Sequence, residues 1–324
     1  MIRLSLLKLR MSIIGTLALL IAISTLFFTI ILSIVGITNI VALAFFVILF
    51  NIVQWLVAPY LINSIYHTKE ISKSDKLYGM VARLSKKLDL KMPKVMIANI
   101  SIPNAFAYGS PIAGNKVAVT KGLLNELEEE EIEAVVGHEL GHIKNRDVQV
   151  MMFASILPAI FYFIGFSFMM SSFYGGSRQR QGGGAAPILI GMGCMAIYWI
   201  LTLFTLGLSR LREYYADRRS CSVVNEGPRK LSEALAKIVS SNSKLKNSRQ
   251  TKNNLNSFKA LFIEDPDSAD RNQIAISEAR MFKTDQQLVN KILARKISST
   301  DKLLELFSTH PNIVKRIQTL QKLS

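Results

Sequence analysis

Cysteine is scarce in this sequence, and its scarcity excludes two kinds of structure. The 324 residues include only two cysteines, Cys194 within an apolar run and Cys221 within a predicted helix. Neither has the spacing of a metal-binding pair, and two isolated cysteines do not form the disulfide framework of a small secreted domain. We therefore interpret both as structural residues.

Acidic residues are few relative to basic ones, which restricts the partners of the chain. With 23 Asp and Glu against 39 Lys and Arg, the net charge is +16. Nucleic-acid binding is one explanation of such a charge. However, half of the residues are hydrophobic and the mean hydropathy is +0.28, which is too apolar for an ordinary soluble domain. Basic residues beside membrane spans explain the charge better, so we predict a lipid bilayer and no nucleic acid as partner.

Four apolar runs predict four transmembrane helices, arranged as two hairpins. A membrane helix needs ~20 apolar residues, and the runs cover residues 12–35, 40–61, 148–173 and 187–208. A signal peptide is the competing interpretation of the first run, but its apolar part is too long and a second run follows at once. Lys and Arg near the span ends lie mainly on one side, which predicts that both termini are cytoplasmic.

One motif has the pattern H-E-x-x-H, namely His138-Glu139-Leu140-Gly141-His142. Acidic residues at 128–131 suit a helix N-terminus, and apolar residues then recur at helical spacing. On a helix, two histidines four residues apart project from the same side and can bind one metal ion. Glu139 can reach a metal-bound water without binding the metal, so we predict that it is the catalytic general base.

A third metal ligand is expected from the segment that follows the fourth apolar run. A catalytic zinc site uses three protein ligands, and His, His, Glu is one of the standard sets. If residues 209–219 are helical, Glu213 supplies this ligand, and Asp217 on the same face accepts a hydrogen bond from a ligand histidine. Two spans separate His142 from Glu213, so both residues lie on one side of the membrane. The sequence thus predicts one Zn²⁺ per chain.

Short extended segments predict a small sheet beside the metal-binding helix. Residues 95–100 and 116–120 have the pattern of strands, and residues 102–109 are strand-like but contain Pro and Gly. An edge strand above the site could bind an extended peptide through its backbone. The candidate substrate-binding residues are Asn104, Ala105, Phe106, Ala107 and Tyr108. A merely structural sheet explains this segment equally well.

Helical periodicity predicts further helices outside the apolar runs, over residues 67–88, 228–239, 286–294, 302–307 and 313–320. His310 lies in the loop before the last of these helices and could donate a hydrogen bond to the oxyanion of a tetrahedral intermediate. Residues 240–257 are polar, basic and rich in Asn and Ser, which is typical of a mobile insertion.

These motifs resemble those of the HtpX family of membrane-bound zinc metalloproteases, relatives of the CAAX prenyl proteases. The matching segments are residues 138–147, 209–217, 102–109 and 309–312. The resemblance implies a gluzincin-type endopeptidase of the cell membrane that acts on membrane or misfolded proteins. It implies a mainly α integral membrane protein with a cytoplasmic α+β catalytic domain of the zincin type. The expected division is a membrane hairpin over 1–63, catalytic residues 64–147, a second hairpin over 148–208 and catalytic residues 209–324.

Two other classes of function compete with this one. A zinc-binding membrane scaffold would have no need of a general base, so the presence of Glu139 argues against it. A CAAX-type prenyl protease is the second alternative. Four spans enclose a smaller intramembrane chamber than seven, which favours general protein quality control.

Overall fold

The structure of the chain, a computed structural model, describes residues 40–174, 186–247 and 284–323. Its helices are α1 (Ile40–Ile65), α2 (Lys76–Lys87), α3 (Lys121–Glu126), α4 (Glu129–Lys144), α5 (Asp147–Tyr174), α6 (Ala186–Val223), α7 (Gly227–Asn247), α8 (Asp285–Leu293), α9 (Ser299–Leu306) and α10 (Ile313–Gln321). Its strands are β1 (Thr68–Glu70), β2 (Lys94–Ala98), β3 (Ala105–Ser110) and β4 (Gly114–Thr120).

The described residues form two compact units. One contains the described residues within 40–54 and 151–205, and the other, which we call the large unit, contains those within 55–150 and 206–323. The strands and the H-E-x-x-H motif belong to the large unit.

Three helices of the described residues are long and apolar enough to cross a membrane. These segments are Phe45–Ile65, Asp147–Met170 and Ala186–Val223. They contain most of the apolar runs predicted at 40–61, 148–173 and 187–208. The first predicted span, residues 12–35, lies outside the described residues. Helix α6 has 38 residues, because the fourth apolar run and the predicted third-ligand segment form one continuous helix.

The strands of the large unit form one mixed sheet in the order β1-β2-β4-β3. Strands β2 and β4 are parallel, whereas β1 and β3 run antiparallel to their neighbours. The helix predicted over 67–88 begins later than expected. Thr68–Glu70 pairs with β2 as a strand, and the Asp75 side chain caps α2 by accepting a hydrogen bond from Leu77 N–H at 2.8 Å.

The main core of the large unit lies between the sheet and helices α2, α4, α7, α8 and α10. Leu84, Leu140, Leu235 and Ile317 are fully buried there. A smaller cluster contains Tyr66, Met96, Ala98, Phe106, Tyr108 and Ala118. Side chains that alternate along β3 therefore enter two different clusters, which holds this strand firmly in place.

Helix α4, which carries the motif, has a well-defined beginning and end. A capping box opens it, with Glu128 N–H donating to Glu131 Oε2 at 2.8 Å. Lys237 Nζ on α7 donates to the same oxygen at 2.9 Å. The helix ends at Lys144, because Arg146 adopts a φ of 56° and redirects the chain. Helix α5 then begins at Asp147.

Candidate metal centre

Glycines allow α4 and α6 to approach closely inside the large unit. A Cβ on Gly141 would lie 3.1 Å from the Ala216 Cα, and one on Gly137 would lie 3.0 Å from Ser220 Oγ. Ser220 Oγ donates to the Ala134 carbonyl at 2.6 Å and fastens the two helices at this point. The close approach brings the histidines of α4 to the first acidic residue of the α6 extension.

His138, His142 and Glu213 converge as the sequence predicted. One ligand atom from each lies within 4.8 Å of the others. The two Nε2 atoms are 3.1 Å apart, and each lies 3.5 Å from an oxygen of Glu213. Donors that bind tetrahedral zinc at ~2.0–2.1 Å are separated by ~3.3 Å. The three separations therefore fit a tetrahedral site.

Carboxylates fix the orientation of both histidine rings. Asp217 Oδ1 lies 2.8 Å from His138 Nδ1, and Asp147 Oδ2 lies 2.6 Å from His142 Nδ1. When each Nδ1–H donates to its carboxylate, each Nε2 directs a lone pair towards the other and towards Glu213. Glu213 Oε2 is buried and accepts no hydrogen bond from the described residues. This convergence of acceptors is suited to a cation.

The charges around the site also favour a cation. Glu139, Asp147, Glu213 and Asp217 are all buried, between 2% and 4% exposed. The Arg316 guanidinium, 1% exposed, brings one positive charge to them. Its Nε and Nη2 lie 2.7 Å from the two oxygens of Asp217, and its Nη1 lies 3.3 Å from Glu213 Oε2. Because unbalanced buried charge is costly, a divalent cation would stabilise this arrangement.

The pKa values of the motif residues reflect the same surroundings. Burial and the neighbouring Arg316 lower the pKa of His138, but its contacts with Asp217 and Glu213 outweigh them and raise that pKa to about 9. Burial raises the pKa of Glu139, against the lowering effects of His142 and His138. The Glu139 carboxylate also accepts a hydrogen bond from the Ala107 backbone N–H. A raised pKa suits a residue that must gain and return a proton.

Comparison with known proteins identifies the family of the chain. The model of peptidase family M48 matches residues 72–324. The chain belongs to peptidase family M48. It is 37% identical over 283 residues to the protease HtpX homolog of Thermoplasma acidophilum, covering 85% of this chain and 83% of that protein. It is also 37% identical over 297 residues to protease HtpX homolog 2 of Saccharolobus solfataricus, covering 89% and 87%.

A solved structure supports the same fold. The crystal structure of S. mikatae Ste24p matches 99% of this chain and 67% of its own chain, with a TM-score of 0.55 and 17% sequence identity. The resemblance to the HtpX family is thus confirmed, and this M48 chain is a metalloprotease. Its apolar helices indicate a membrane protein.

Two residues of this M48 site were not predicted from the sequence. Asp147, which orients His142, follows that residue by five positions and belongs to the next helix. Arg316 is 178 residues from His138 in the chain. A signal for Arg316 was present, because it shares the apolar face of α10 with Ile313, Ile317 and Leu320. A charged residue on an apolar helix face requires buried partners.

Of the remaining predicted residues, His310 and Ala107 lie beside the centre. His310 Nε2 is 3.9 Å from Glu213 Oε1, and its Nδ1 is 3.0 Å from Thr309 Oγ1. Strand β3 is an edge strand of the sheet, which the Ala107–Glu139 hydrogen bond places beside the motif. The other predicted substrate residues are buried, each only 1–4% exposed: Asn104, Ala105, Phe106 and Tyr108. These residues hold the strand in place, and Ala107, which is partly exposed, is the part of β3 that can meet a substrate.

Proposed function

We propose that this M48 metalloprotease is a zinc-dependent endopeptidase that hydrolyses peptide bonds of membrane or misfolded proteins at the cytoplasmic face of the cell membrane. The convergence of His138, His142 and Glu213 beside the buried Glu139 carries this proposal. The donor set, two imidazoles and one carboxylate, is a standard set for catalytic zinc. When bound there, Zn²⁺ would supply Lewis acidity and would lower the pKa of water enough for it to lose a proton and act as nucleophile at neutral pH.

Residues of the chain transfer the proton and position the metal ligands. Glu139 accepts a proton from the attacking water and returns it to the amine that leaves when the peptide bond breaks. Asp217 and Asp147 hold His138 and His142 with their Nε2 atoms directed inwards. Arg316 in turn holds Asp217. Neither histidine ring can rotate without breaking its hydrogen bond to a buried carboxylate.

The outer edge of β3 supplies a place for the substrate backbone. The Asn104 carbonyl accepts a hydrogen bond from Thr120 N–H. The backbone N–H and C=O groups of residues 104, 106 and 108 are therefore directed towards β4. In an antiparallel pair the intervening residues, Ala105, Ala107 and Gly109, direct their N–H and C=O groups away from β4. An extended peptide that pairs with this edge lies beside Glu139.

His310 is placed to assist the reaction from the edge of the site. Its side chain is 17% exposed and faces Glu213, so the ring lies at the boundary between the buried ligands and solvent. We assign it the stabilisation of the oxyanion that develops on the carbonyl oxygen. Donors of this kind typically contribute about 10²–10³-fold to the rate.

The test of this proposal combines metal analysis with hydrolysis. Purified protein should carry about one zinc per chain, and it should cleave unfolded casein in detergent. Glu213→Ala should lose both zinc and activity, since two histidines alone form a poor site. Full zinc content in Glu213→Ala would show that the third ligand is another residue. Preferential cleavage of prenylated over unprenylated peptides would favour the CAAX-type reaction instead.

The orientation is tested separately. A reporter fused after Ser324 should lie in the cytoplasm, as the excess of Lys and Arg on that side predicts. A second reporter inserted within residues 182–184 should lie on the opposite side. Two reporters on one side would contradict the proposed topology.

A further inference from the structure

The turn between β3 and β4 is fastened to helix α1. Residues 111–113 connect the strands, and Gly114 follows with a φ of +71°, the geometry of a three-residue hairpin loop. Ser110 Oγ accepts a hydrogen bond from Ala113 N–H at 3.2 Å and donates one to the Leu56 carbonyl at 3.2 Å. A single hydroxyl therefore shapes the turn and ties it to α1.

A second attachment lies two residues earlier in β3. Tyr108 Oη donates to Asn63 Oδ1 at 2.7 Å, and Lys116 Nζ lies 5.7 Å from the centre of the Tyr108 ring. The contacts on α1 thus run from Asn63 back to Leu56, about 10 Å along the helix axis at ~1.5 Å per residue. Both residues belong to the candidate membrane span Phe45–Ile65. The hairpin consequently follows an apolar helix towards the bilayer.

The tip of the hairpin is apolar and exposed. Ile112 is 67% exposed, and its neighbour Pro111 is also exposed. Transfer of a large aliphatic side chain from water into lipid is favourable, because it removes apolar surface from water. Its attachment to a membrane-spanning helix through Ser110 puts lipid within its reach.

The same hairpin carries the edge proposed to bind substrate. Ala107 N–H contacts Glu139, and Ser110, at the end of β3, contacts α1. Ser110 follows Ala107 by three positions, which corresponds to about 10 Å of strand at ~3.4 Å per residue. The outer edge of β3 therefore begins at the proposed general base and ends at the apolar helix.

We propose that the β3–β4 hairpin contacts the bilayer through Ile112 and thereby selects, as substrates, extended segments that emerge directly from the membrane. This inference rests on the proposed endopeptidase function and defines its substrate class. A segment paired with β3 would present the bond beside Glu139 only about three to five residues from the lipid surface, given the rise of a strand. Cleavage should therefore occur at a fixed short distance from a membrane anchor.

The experiment uses the zinc-loaded full chain in phosphatidylethanolamine–phosphatidylglycerol vesicles. One substrate carries a transmembrane anchor followed by a cleavable segment, and the other is the same segment without an anchor. Wild type should cut the anchored substrate at a fixed short distance from the anchor, near the lipid surface. Ile112→Asp should cut it about tenfold more slowly and hydrolyse the free peptide at the wild-type rate. Leu323→Asp, at another exposed aliphatic residue, is the matched control and should leave both rates unchanged.

A direct measurement of lipid contact accompanies these rates. Ile112→Trp should show tryptophan quenching by brominated phospholipid beyond that of wild type, and Ile112→Leu should retain full activity on anchored substrate. The inference would be overturned if Ile112→Asp lost activity equally on both substrates or cleaved the anchored substrate at the wild-type rate. It would also be overturned if Ile112→Trp showed no more quenching than wild type. If wild type hydrolyses neither substrate, the proposed function itself fails.

Discussion

Replacing Arg316 by methionine tests whether the site is built around buried charge. The guanidinium is 1% exposed, lies 2.7 Å from both oxygens of Asp217 and approaches Glu213 at 3.3 Å. Met keeps most of the apolar volume and removes the charge and the donors. Asp217 would then remain buried with His138 as its nearest partner. Removing one partner of a buried pair costs about 3–5 kcal/mol.

The expected shift in unfolding temperature follows from this energy. For a domain of ~150–250 residues, 1 kcal/mol corresponds to roughly 2–4 °C, so the metal-free variant should unfold about 6–20 °C lower. Bound zinc would provide a second cation for the same carboxylates, so the difference should be smaller when zinc is saturating. Arg316→Lys keeps the charge but not the bidentate geometry. Its unfolding temperature should lie between those of wild type and Arg316→Met.

Thermal unfolding in detergent measures the change in unfolding temperature, once with chelator and once with excess zinc. Hydrolysis of a peptide substrate on the same samples shows whether loss of the Asp217 partner also disturbs His138. An Arg316→Met variant that unfolds within about 2 °C of wild type in chelator would refute the reasoning, since a loss of about 3 kcal/mol already corresponds to about 6 °C. An equal loss with and without zinc would show that Arg316 contributes packing and not charge balance.

Two further predictions concern how the ligands are positioned. Gly141→Val should push α4 and α6 apart, because a Cβ already meets the Ala216 Cα at 3.1 Å; zinc affinity should fall although every ligand remains, and Gly141→Ala should cause a smaller loss. Asp147→Ala should release the His142 ring and weaken zinc binding by about 10–100-fold. Competition with a chelator for zinc measures both affinities, and in that assay Asp89→Ala, at an exposed carboxylate, should match wild type. Unchanged zinc affinity in either variant would contradict the corresponding role.

The sequence was sufficient where a motif depends on local geometry. Two histidines four residues apart on a helix share a face, so His138 and His142 could be paired without a structure. Glu213 followed from the coordination chemistry of zinc and from the even number of spans before it. The extended segments around β3 also indicated an edge strand beside the motif.

The residues that were missed depend on geometry that periodicity does not encode. Asp147 reaches His142 because Arg146 adopts a left-handed conformation, which separates the motif helix from the next one. Arg316 joins the site because α10 packs in the core near α7 and α8, a contact between distant parts of the chain. Strand β1 was assigned to a helix because three residues carry too little pattern to show pairing with β2.

The most direct test of the proposed chemistry is the activity of Glu139→Gln. Glutamine keeps the size of the side chain but removes its basicity, and Glu139 is proposed as a base and not as a ligand. Zinc content and unfolding temperature should remain near those of wild type, while peptide hydrolysis should fall by at least the ~10²–10⁴-fold that general acid–base catalysis contributes. His138→Ala should instead lose zinc and activity together. A Glu139→Gln protein that holds zinc and retains most of its hydrolytic rate would contradict the mechanism.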